Sequence, residues 1–163
     1  MPSPEHSPIE ADGFVPAGRE AVFAFLADLG NHWDLADRWV EVVSLTPAHD
    51  GGRVTVRGPL GLRRTVDTRV HEVEPPARLA GTARLGRTRA VVRWDLRPEP
   101  RGTRVHLVAN VVAAGRLDRL LLAAGGRAWL RRRFTVTLSR LAQTVAARQP
   151  EAATSPPGRA ARA

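Results

Sequence analysis

Near its end the chain carries a stripe that constrains everything before it: Leu130, Phe134, Leu138, Leu141 and Val145 recur at intervals of four, four, three and four. Wound at 3.6 residues per turn they line one side of a helix, and Arg131, Arg132, Arg133 and Arg140 fall largely off that side. The pattern predicts a helix over about residues 117–147. At 1.5 Å per residue such a helix is roughly 45 Å long, and its apolar side cannot stand alone in water. It needs a sheet to lie on. Gly125 and Gly126 weaken the helix and predict a kink, so that Leu117, Leu120, Leu121 and Ala124 pack as a separate turn or two.

The sheet is written upstream. Residues 9–15 read as a first strand. Pro16 and Ala17 open a helix to about residue 29, with Val22, Phe23, Leu26 and Leu29 inward and Gly30 as its stop. A second short helix is expected over 31–38, where Trp33 and Trp39 stand beside Asp34 and Asp37. From Val40 the periodicity changes from 3.6 to 2, and strands are predicted over 40–45, 53–57, 62–73, 78–85, 87–97 and 103–112. Each of the first five is closed by a turn signal: His49-Asp50-Gly51-Gly52, Gly58-Pro59-Leu60-Gly61, Glu74-Pro75-Pro76, Gly86 and 98–102. Connections this short make antiparallel neighbours of successive strands.

Length and charge set the remaining limits. A chain of 163 residues suits one domain with one sizeable core. Pro-rich segments at 1–8 and 149–163 are expected to be disordered tails around a domain at 9–148. There is no cysteine, which excludes disulfides and thiolate metal sites. No run approaches the length of a membrane span and the first residues lack a signal-peptide pattern, so the cytoplasm is the expected location. Residues 1–52 hold two arginines against nine acids, whereas 53–148 hold 21 arginines against six. Nine of these arginines, Arg53, Arg57, Arg63, Arg69, Arg84, Arg87, Arg89, Arg93 and Arg104, alternate with apolar residues and so belong on the solvated face of a sheet. Without aromatic residues among them, they argue against a specific nucleic-acid partner; Trp94 lies on the opposite face. None of the five histidines stands at a metal-site spacing, and no nucleophile or phosphate-loop pattern occurs, so no metal and no cofactor is expected.

The order strand, helix, short helix, six-strand meander, long helix resembles the START-like helix-grip fold of the SRPBCC superfamily, in particular its bacterial polyketide cyclase/dehydrase-like members. The similarity rests on Val15-Pro16-Ala17-Gly18-Arg19-Glu20-Ala21-Val22-Phe23-Ala24-Phe25-Leu26-Ala27-Asp28, on Val70-His71-Glu72-Val73-Glu74-Pro75-Pro76-Ala77-Arg78-Leu79, on Trp94-Asp95-Leu96 through Gly102-Thr103-Arg104-Val105, and on 138–141. It covers about residues 9–148. It implies an α+β fold: a curved antiparallel sheet of six to seven strands gripping the C-terminal helix, with two short helices after the first strand and a largely apolar cavity. Relatives hold lipids, sterols, polyketides or other hydrophobic molecules there.

Register then selects the residues of such a cavity: Val54, Val56, Val66, Thr68, Val70, Gly81, Ala83, Ala90, Val92, Trp94, Leu107 and Ala109 from strands, facing Leu130, Phe134 and Leu138 from the helix. Gly81, Ala83 and Ala90 leave space; Trp94, Phe134 and the leucines fill it, and both an open and a closed core stand. Arg64, Glu72, Thr68 and Thr88 share the inward parity, and the cost of burying an unpaired charge puts Arg64, Glu72 and Thr88 at a polar rim. No catalytic residue is assigned. His32, Trp33 and Asp34 fall near a pocket mouth, with an aromatic anchor as the expected role. Three functions remain: a binding module for a hydrophobic small molecule, lipid-like or polyketide-like; a polyketide cyclase or dehydratase; and an interaction module using the basic sheet face. The oligomeric state is not legible.

Overall fold

The computed structural model describes residues 7–148; the expected tails, apart from Ser7 and Pro8, lie outside that range. Seven strands form one antiparallel sheet: β1 (Ile9–Val15), β2 (Val40–Leu45), β3 (Gly51–Arg57), β4 (Arg63–Glu74), β5 (Arg78–Leu85), β6 (Thr88–Glu99) and β7 (Gly102–Ala113). Their order across the sheet is β1-β7-β6-β5-β4-β3-β2. The meander runs from β2 to β7, and β1 completes the sheet beside β7 with Ile9 opposite Ala109 and Val15 opposite Thr103. Bulges at Val42/Ser44, Val70/Glu72 and Arg89/Ala90 break the ladder locally, and each adds twist and bend. The sheet is therefore curved around whatever covers its inner face.

The covering comes from two directions. Helices α1 (Arg19–Ala27) and α2 (Leu29–Leu35), followed by a 3-10 turn at Asp37–Trp39, carry the chain from β1 to β2. The first helix starts three residues later than Pro16 would allow, because Ala17 N–H bonds back to the Val15 carbonyl at 2.8 Å and holds those residues in a turn. Val22, Phe23, Phe25 and Leu26 of α1 are buried, and Thr103 Oγ1 donates to the Ala17 carbonyl at 2.8 Å, tying this entry to the start of β7. After β7 come α3 (Arg116–Leu121), a π turn (Leu122–Gly126) and α4 (Arg127–Arg148). The kink expected at the paired glycines is real: Gly125 has φ +112°, a conformation an L side chain rarely adopts.

Helix α4 packs chiefly on β1, while α1 faces β5, β6 and β7, and α2 touches both β2 and α4. The contact with β1 depends on Gly13, since a Cβ there would stand 2.8 Å from Leu138 Cβ. Leu138, Leu141 and Val145 reach the core together with Val15, Val22, Leu26, Leu96, Val105 and Leu107. The arginines lie mainly outside, as alternation requires. Arg53 meets Asp67 at 2.7 Å, Arg57 and Arg63 share Glu41 at 3.0 and 3.1 Å, and Arg104 meets Glu99 at 2.9 Å. These pairs are exposed, so solvent screens them and they add little to stability. Asp95 is better enclosed: burial alone would raise its pKa, but hydrogen bonds from Arg78 and Arg93 outweigh that and hold the carboxyl below its usual value.

Candidate functional site

Because α4 lies along β1, the inner faces of β3, β4 and β5 are roofed by the α1–α2 connection instead. A cavity of about 210 Å³ remains between them. That is below the roughly 300 Å³ where drug-sized pockets begin, yet above the ~150 Å³ apolar void that accepts benzene. One ring system or a short acyl segment fits inside.

The floor comes from the strands: Val54 and Val56 of β3, Val66, Thr68 and Val70 of β4, Leu79, Gly81 and Ala83 of β5, Val92 and Trp94 of β6, and Leu107 of β7. Phe134 and Thr137 of α4 close one side. The roof is Leu26, Leu29, His32, Trp33, Ala36 and Trp39. Gly81 makes the floor close-packed, as a Cβ there would meet the Arg69 carbonyl oxygen at 2.7 Å. Trp39 stands edge-on to Trp129 of α4, with ring centres 5.6 Å apart, and this contact ties the roof to the helix.

Three polar groups of the wall are engaged by backbone. Thr68 Oγ1 donates to the Gly52 carbonyl at 3.3 Å and Thr137 Oγ1 to the Arg133 carbonyl at 2.9 Å. His32 Nε2 donates to the Leu26 carbonyl at 2.6 Å, and its ring stands edge-on to Trp94 at 5.4 Å. With Nε2 carrying the hydrogen, Nδ1 is the free lone pair of the neutral ring. Burial pushes the imidazole below the ordinary histidine value, overcoming the Leu26 hydrogen bond and the Asp28 charge that favour protonation. The indole N–H groups of Trp33 and Trp39 are buried and have no hydrogen-bond partner among the described residues.

Of the residues selected by register, Val54, Val56, Val66, Thr68, Val70, Gly81, Ala83, Val92, Trp94, Leu107 and Phe134 meet around this cavity. Ala90, Ala109, Leu130 and Leu138 do not. Leu138 is spent against Gly13, Ala109 is buried opposite Ile9, and Ala90 follows the bulge of β6 and pairs with Val111. Leu130 is half-buried on α4, one turn closer to the kink than Phe134.

The expected polar rim divides. Glu72 sits at the far end of β4, half-exposed, 3.8 Å from Arg78. Arg64 and Thr88 instead converge on Asp118 of α3: Arg64 Nη1 and Thr88 Oγ1 each donate to one carboxylate oxygen, and Thr88 Oγ1 accepts from Gly115 N–H at 3.1 Å. Arg64 therefore does not end in open solvent; its partner comes from the element after the sheet. Asp118 was not singled out from the sequence, although it is the only acidic residue between Glu99 and Glu151. The roof has a sequence signal in two tryptophans and a histidine within eight residues, but no periodicity shows that a helical crossover turns them toward a sheet. No cluster of potential metal ligands occurs among the described residues.

With fold and cavity in place, the comparisons agree. The profile of the family described as polyketide cyclase / dehydrase and lipid transport matches residues 9–146, and the chain belongs to that family. Its fold is the SRPBCC-type helix grip, a frame for holding a hydrophobic ligand. Among solved structures it is similar to TTHA0849 from Thermus thermophilus (20% identity, TM-score 0.67, 86% of this chain and 98% of that one). It is also similar to a protein from Rhodobacter sphaeroides (21%, 0.65, 91% and 97%) and to CV1439 from Chromobacterium violaceum (17%, 0.63, 85% and 96%). At these identities the likeness concerns the fold alone. No curated protein matches the chain in sequence. No helix among the described residues is long and apolar enough to cross a membrane.

Proposed function

We propose that the chain binds a hydrophobic small molecule, lipid-like or polyketide-like, inside the cavity between β3–β5, the α1–α2 roof and α4. The observation that carries this reading is a wall made mainly of aliphatic and aromatic side chains, in which the Thr68 and Thr137 hydroxyls are already bonded to backbone carbonyls. Transfer of apolar surface into such a wall is worth about 25 cal/mol per Å² buried. Three of the four tryptophans line the cavity, so intrinsic fluorescence reports directly on its occupancy. Titration with 2-naphthol and with decanoic acid should perturb that emission saturably in the wild type and leave Ala83→Trp, which fills the cavity, without saturable response. A folded Ala83→Trp variant that binds like the wild type would remove this cavity from consideration.

A second reading, catalysis of the cyclase or dehydratase kind, is favoured by one observation: His32, neutral and with Nδ1 free, stands in the wall. A general base near neutral pH has this character. Binding retained but turnover lost in His32→Gln would select the enzyme; a wild type that binds without any turnover would select the carrier.

A further inference from the structure

We propose that the end of the molecule built by the β3–β4, β5–β6 and β7–α3 connections docks on the surface of an anionic phospholipid bilayer. Antiparallel pairing brings these three connections to one end of the sheet, and Asp118 binds them together by joining α3 to Arg64 at the start of β4 and Thr88 at the start of β6.

That end exposes leucines with no structural use. Leu60 is fully exposed, at 106%, on a left-handed backbone with φ 58°. A leucine pays strain there that glycine or asparagine would avoid, and nothing in the fold repays it. Leu117 and Leu120 of α3 are 59% and 65% exposed, and Leu62 and Leu121 lie just behind them at 39% and 38%. Around the leucines positive charge predominates. Residues 57–64, 84–89 and 113–121 contain eight arginines and one acid, Asp118, which is already engaged. Glu41 takes Arg57 and Arg63, whereas Arg84, Arg87, Arg89, Arg116 and Arg119 make no ion pair among the described residues. Arg84 even stands directly opposite Arg89 across the hairpin, an arrangement that destabilises a free sheet. The turns at the opposite end of the sheet mix acids with arginines, so the positive charge is local to this end.

Aliphatic tips ringed by arginine match an anionic bilayer: leucines enter the acyl boundary while guanidinium groups stay among the phosphates. The alternatives fit less well. A second copy would set two like-charged ends against each other, and single-stranded nucleic acid wants stacking aromatics, which these connections lack.

Flotation of the full chain with vesicles tests this. It should partition onto phosphatidylcholine vesicles containing phosphatidylglycerol, bind phosphatidylcholine alone weakly, and release as salt is raised. The doubly exposed change Leu60→Ser with Leu120→Ser should lower the partition coefficient at least about tenfold without altering the circular dichroism spectrum. Arg87→Glu with Arg119→Glu should do the same, and Arg101→Glu at the opposite end should not. The proposal is overturned if the wild type fails to bind the mixed vesicles, if the leucine variant binds as well as the wild type, or if sedimentation shows a dimer that Leu120→Ser dissociates.

Discussion

His32 is where a single atom type sets the behaviour of the cavity. Its folded-state pKa is depressed chiefly by burial, so between that value and the ordinary 6.5 the unfolded chain binds a proton that the native state refuses. The contribution to stability is complete above about pH 6.5 and is lost as pH falls below it, at no more than about 1.4 kcal/mol per pH unit. Urea unfolding at pH 7.5, 6.5 and 5.5 should therefore show a loss in the wild type that is smaller in His32→Gln; identical pH dependence in the two proteins would mean that the ring is not enclosed. Gly13 is a second single-residue control. Its Cβ would stand 2.8 Å from Leu138 Cβ, so Gly13→Ala should cost about 1–3 kcal/mol by pushing α4 off β1, measurable in the same urea experiment. Neither role was legible beforehand. Nothing local to Gly13 says that a helix some 120 residues later rests on it, and the Leu26 carbonyl meets His32 only because two short helices fold back on each other.

At the scale of elements, α3 behaves as a cap fastened by one carboxylate. Asp118→Ala leaves Arg64 and Thr88 without their shared acceptor in a partly buried place, and should destabilise the protein by about 2 kcal/mol. Hydrogen exchange would localise the effect: amides of 116–126 should exchange faster while those of β1 and β7 keep their protection. Uniform loss of protection would contradict a cap that opens separately. The elements themselves were largely readable. Alternation defined β2 and β5 to the residue, and paired glycines marked the kink before α4. What periodicity did not carry was the split of the second helix into α2 and a 3-10 turn, and the partnership of Arg64 with Asp118, because both follow from contacts between segments far apart in sequence.

Across the whole molecule, the structure divides its work along the sheet. The β1–β7 side, gripped by α4 and α1, is closed and filled, with Leu141 and Val105 fully buried. The β3–β5 side keeps space because α4 does not reach over it. Register alone put Val66, Thr68, Val70 and Ala83 on the inward face, but whether inward residues enclose a void depends on where the helix lies, and that is decided by the close approach at Gly13. Hence Leu138, an inward residue of the same stripe as Phe134, touches β1 while Phe134 borders the cavity.

The central claim is that this void holds an apolar molecule, and native mass spectrometry of the protein purified from its own host, wild type beside Ala83→Trp, addresses it most directly. The account predicts a discrete non-covalent mass on the wild type that is released on denaturation and is absent from a folded Ala83→Trp variant. The same added mass at equal occupancy on that variant would contradict it.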